Sequence, residues 1–105
     1  MLYPHIMKDS DYQKIRFHIL NKLHLRGKWG AAHTSIDLIS KGLPSHQIGD
    51  AKDMAKDLIT EGLLLGKPST KELHVSLNPR KKDEIEHILS EVPGAYLHLK
   101  LATPK

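Results

Sequence analysis

The chain has no cysteine among its 105 residues, which removes disulfides, thiolate zinc sites and cysteine nucleophiles together. Long hydrophobic runs are also missing. No apolar stretch approaches the roughly 20 residues needed to span a bilayer, so no membrane partner is expected. The opening, MLYPHIMKDSDYQ, lacks the basic-then-apolar layout of a signal peptide. No Ser-His-Asp order, carboxylate pair or glycine-rich phosphate cradle is visible, so neither enzymatic activity nor a cofactor is expected. These absences point to a soluble, cytoplasmic protein. At this length a single domain, residues 1–105, is expected, with a core over 9–78 and an addition over 79–105.

What is present is an uneven charge. Sixteen basic and 12 acidic side chains give a net charge of +4. Residues 1–45 carry seven basic and three acidic groups, and 62–82 carry five and one. The segments between and after them, 46–61 and 83–105, each carry two basic and four acidic groups. Basic charge gathered in this way suits a polyanionic partner.

Apolar spacing predicts helices over residues 9–26, over a short segment after Thr34 or Ser35, over 49–61 and after Asn78. The first carries Tyr12, Ile15, Ile19, Leu20 and Leu23 on one arc. Phe17 falls outside it, either exposed or covered by another element. GKWGAA, residues 27–32, reads as a connector or short strand. Lys41-Gly42-Leu43-Pro44-Ser45 ends the second helix, whose apolar positions are Ile36, Ile39 and Leu43. On the third helix Ile48, Ala51, Met54, Ala55, Leu58 and Ile59 face the core. Gly49, Lys52, Asp53, Lys56, Asp57 and Thr60 face out. Asn78 caps the fourth helix, Pro79 takes its first position, and Ile85, Ile88, Leu89 and Val92 form its stripe. The tail AYLHLKLA alternates as a strand would, over 95–101, paired within the chain or with a second one.

The stretch EGLLLGKPSTKELHVSLNP, residues 61–79, is the most informative. A phosphate-binding loop needs four residues between its glycines and a hydroxyl after the lysine. Here three residues separate Gly62 from Gly66, and Pro68 follows Lys67. A helix precedes the first glycine and a strand follows, so that motif is rejected. The alternative is a β-hairpin over 63–77, with its tip at Lys67-Pro68-Ser69-Thr70-Lys71. Helix, short helix, turn, helix, hairpin is the order of the winged helix-turn-helix.

The strings H-T-S-x-D-x-[LI], G-L-P-S-H, G-D-A-K-D, K-D-L-I-T-E-G and K-P-S-T…V-S-L-N-P run from His33 to Pro79. Together they resemble a group of small archaeal winged-helix proteins. The resemblance implies a DNA-binding domain, often dimeric. The fold expected is therefore α+β and mostly helical: a three-helix core, a hairpin wing, an extra C-terminal helix and a tail strand.

For double-stranded DNA, Ser45, His46 and Gln47 at the turn and Lys52 and Lys56 on the third helix are the expected groove contacts. Lys67, Thr70 and Lys71 are expected on the backbone. Asp50, Asp53, Asp57 and Glu61 make the third helix net negative, which also suits a surface that docks a protein. Arg80-Lys81-Lys82 opens the fourth helix against its dipole, a run that fits either an anionic partner or a solvated cluster. Arg26, Lys28 and Trp29 form a basic-aromatic patch, with Trp29 expected at the core edge. His33 and Asp37 share helical spacing, and His46 can approach across the turn, but the trio matches no metal motif. No metal is expected. A homodimer is expected, with the fourth helix and the tail as its candidate surfaces; Leu97, Leu99 and Leu101 fit either that seam or the core.

Overall fold

A computed structural model describes residues 9–68 and 72–91, without the side chains of 9, 10 and 68. Thr70, Lys71, Val92 and the tail 95–101 lie outside the described residues. The elements in order are α1 (Asp9–Leu25), β1 (Thr34–Ser35), α2 (Ile36–Ile39), α3 (Ile48–Thr60), β2 (Leu64–Pro68), β3 (Leu73–Leu77) and α4 (Lys82–Ser90). Single 3-10 turns, Ser45–Gln47 and Pro79–Lys81, precede α3 and α4. The fold is thus α+β and mostly helical, with one small antiparallel sheet in the order β1-β3-β2.

Helix α1 runs through the middle of the core. Its whole expected arc, Tyr12 to Leu23, is buried, because a 3.6-residue period returns those positions to one side. Met54 and Leu58 of α3, Ile36 and Ile39 of α2, Val75 and Leu77 of β3, and Ile85 and Leu89 of α4 are buried with it. Phe17 is partly buried against the core and shares a cleft with Ile88 of α4. The fourth helix therefore covers the residue that α1's own arc leaves out.

Helix α2 is a single turn. Ser35 caps it, accepting from Asp37 N at 3.0 Å, as a hydroxyl at that position should. Leu43, expected on the helix, is buried just beyond it. The side chain of His18 on α1 lies 2.9 Å from the Ile39 carbonyl, and Lys22 bonds the Lys41 carbonyl. Cationic or donor groups at a helix C-terminus satisfy carbonyls that the helix itself leaves open.

Residues 27–32, read as a connector or short strand, form a connector with one bridge, Trp29 with Leu77. The true edge strand is Thr34–Ser35, registered as Thr34 opposite Val75 and Ser35 opposite His74. Trp29 packs partly buried on the core edge, and His24 meets it edge-on at 5.9 Å. Ile48 departs from expectation: it is 37% exposed, since it starts α3 at the rim of the apolar arc.

Gly62 ends α3 with φ +85°, a left-handed turn that a Cβ disfavours. Leu63 N then bonds Leu58 O at 3.0 Å, sending the chain straight into the hairpin. The register runs from Leu64 opposite Leu77 to Pro68 opposite Leu73. Asn78 caps the 3-10 turn, accepting from Arg80 N at 3.1 Å. Among the described residues no helix is long and apolar enough to cross a membrane.

Candidate nucleic-acid interface

At 100° per residue, Asp50, Asp53, Asp57 and Glu61 occupy one stripe about 80° wide along α3, with Lys52 and Lys56 centred roughly 120° away. The core positions lie on one side between the two stripes. The helix is therefore split lengthwise into an acidic flank and a basic flank.

The acidic flank faces α1. Tyr12 OH donates to Asp57 Oδ2 at 3.3 Å, and Arg16 Nη1 meets Glu61 Oε2 at 2.6 Å. Burial, followed by the charges of Asp57 and Glu61, raises the Tyr12 pKa above its ordinary value. The phenol accordingly stays a donor across the physiological range. Two carboxylates that count against a nucleic-acid partner in the sequence are thus engaged by the neighbouring helix.

The basic flank faces the hairpin. Lys52 and Lys56 are exposed, and with Ile36, Asp37, Glu72 and Leu73 they line a shallow pocket between α3, α2 and the head of β3. Lys52 Nζ lies 3.5 Å from Asp37 Oδ1, with the two side chains 54% and 50% exposed. A pair so open to water is worth about 0.2–1 kcal/mol, so a stronger anion can displace Asp37.

Ser45 and His46 are exposed at the turn before α3. Gln47 is not: it is only 4% exposed, and its Oε1 has no protein partner. It lies on the 3-10 turn with its side chain inside the fold. Lys67 is exposed on β2 and stands opposite His74. Lys81 and Lys82 pair with Glu84 at 3.7 Å and Glu86 at 3.5 Å, the solvated-cluster arrangement.

His33 does not join Asp37 and His46. It turns to His74, Nδ1 to Nδ1 at 2.9 Å, with ring centres 4.9 Å apart. Among the described residues no group of three His, Asp or Glu could hold a metal ion. Sequence reasoning missed this pair, and the only available signal was the antiparallel register once Thr34 was placed on a strand. The chain matches no known family, no curated protein and no solved structure.

Proposed function

We propose that the chain is a winged helix-turn-helix DNA-binding protein, a cytoplasmic transcriptional regulator acting as a homodimer. The observation that carries this reading is the lengthwise charge division of α3. Its carboxylates at 57 and 61 are tied to α1, while its lysines line the side that meets the hairpin. The order of elements supports it too: a helix follows a tight turn, and a two-stranded hairpin follows that helix.

In this reading α3 enters the major groove, where Ser45, His46, Lys52 and Lys56 reach base edges and phosphates. Lys67, with Thr70 and Lys71, grips the adjacent backbone. Recognition combines charge attraction with limited base readout. One module of this size covers little DNA, and a symmetric pair joined through α4 and residues 92–105 doubles the contact.

Fluorescence anisotropy of a labelled generic duplex, titrated across a salt series, tests the reading. About four phosphate contacts from each protomer, eight from the dimer, predict a log–log salt slope near −7. Lys52→Ala/Lys56→Ala, which removes two contacts from each protomer, should reduce the size of that slope by about 4 and weaken binding at every salt concentration. No binding even at about 50 mM salt would sink the proposal. The acidic flank of α3 would then be the surface to probe as a protein-docking face.

A further inference from the structure

β3 alternates Leu73, Val75 and Leu77 toward the helices with His74 and Ser76 on the opposite face of the sheet. Register sets Lys67 of β2 beside His74, and His33, on the segment entering β1, closes on the same ring at 2.9 Å. Two imidazole nitrogens at that distance share one proton, one ring donating and the other accepting. Glu72 lies 3.5 Å from the far nitrogen of His74, Nε2. The tautomers that satisfy every contact put one proton on His74 Nε2, toward Glu72, and one on His33 Nδ1, donated to His74 Nδ1. His33 Nε2 is then the site for the next proton. A further one would set N–H against N–H and open the pair.

The charged groups around this pair come from every neighbouring element. Lys67 on β2 and Lys28 after α1 act on His33. On the other side of His74, Glu72 accepts from Ser35 of β1 at 2.5 Å. Asp37 of α2 shares a pocket with Glu72 and is itself paired with Lys52 of α3. Positive charge therefore gathers on the His33 side and carboxylates on the Glu72 side.

We propose that His33, held by His74 and flanked by Lys28 and Lys67, is a subsite for one phosphate of bound DNA, and that filling it takes up one proton. The proposal rests on the DNA-binding reading above. A neutral His33 offers only a lone pair at Nε2, which repels a phosphate oxygen. A protonated His33 offers an N–H there, and the contact becomes a charge-assisted hydrogen bond. Desolvation, then the charges of Lys67, His74 and Lys28, hold the His33 pKa below its ordinary value in the free protein. The ring is thus neutral near pH 7, and phosphate draws the proton in. By linkage, affinity rises as pH falls.

The test is anisotropy of a labelled generic duplex from about pH 7.5 to 6, with the wild type and His33→Gln compared. The wild type should show a log affinity–pH slope more negative than the variant's by up to about 1, one proton's worth. His46 and the histidines outside the His33–His74 pair contribute to both slopes alike, so the difference reports the pair. Lys67→Gln, which leaves the ring pair intact, should weaken binding at every pH. Duplex binding with equal slopes in wild type and His33→Gln would overturn this inference and leave the DNA reading standing. No duplex binding at any pH would overturn the DNA reading. Inorganic phosphate, followed by the ring nitrogen resonances, would then decide the subsite: a shift of His33 Nε2 toward imidazolium supports it, and no shift overturns it.

Discussion

Asn78 closes three connections at the junction of α3, the hairpin and α4. Its amide N donates to Leu63 O at 3.0 Å, its Nδ2 to Gly62 O at 2.8 Å, and its Oδ1 accepts from Arg80 N at 3.1 Å. Asn78→Ala should cost about 1–2 kcal/mol in urea unfolding, the cap together with a stranded carbonyl. Asn78→Asp keeps the acceptor and should fall between the two. His18 sets a different dependence. Burial is the main cause that lowers its pKa, the charge of Lys22 adds to the shift, and the Ile39 carbonyl opposes it. Because the folded state favours the neutral ring, the contribution is complete above the unfolded value of 6.5. It is lost as pH falls through the lower, folded value. Thermal melts should therefore show a drop in Tm from pH 7 toward 5, and His18→Gln should flatten it. His33, shifted the same way, leaves a residual trend of the same sign.

The passage from α3 to β2 depends on one left-handed residue. Gly62 sits at φ +85°, and a Cβ there costs about 1–2 kcal/mol. Gly62→Ala should lose that much in urea unfolding. Most helices were legible in the sequence because their signals are local: Tyr12 to Leu23 on α1, Ala51 to Leu58 on α3, and the Ser35 cap behave as their spacing demands, while Asn78, expected to cap the fourth helix, caps the 3-10 turn Pro79–Lys81 that precedes it. β1 was not, because two residues, Thr34–Ser35, carry no periodicity and become a strand only where the free edge of β3 accepts them. The same limit governs the site. The exposure of Lys52 and Lys56 follows from α3's own wheel. The engagement of Asp57 and Glu61 depends on Tyr12 and Arg16, 45 residues away in each case, and no local pattern reports it. The burial of Gln47 was hidden for a related reason: the turn motif places the residue before α3, and only the packed 3-10 turn shows its side chain inside.

Across the whole molecule, the charges of α3 are divided between two neighbours. Tyr12 and Arg16 of α1 engage Asp57 and Glu61 on one flank, and Lys52 and Lys56 line the pocket at the head of β3 on the other. On the DNA-binding reading proposed above, the molecule approaches the polyanion from its lysine side, and that long-range attraction fades as salt screens it. The most direct measurement is chemical-shift mapping of the isotope-labelled protein during titration with a generic duplex at low salt. The account predicts shifts concentrated at Ser45, His46, Lys52, Lys56 and Lys67, with Tyr12, Asp57 and Glu61 unmoved. Shifts confined to the Tyr12–Asp57 flank, or none at all, would contradict it.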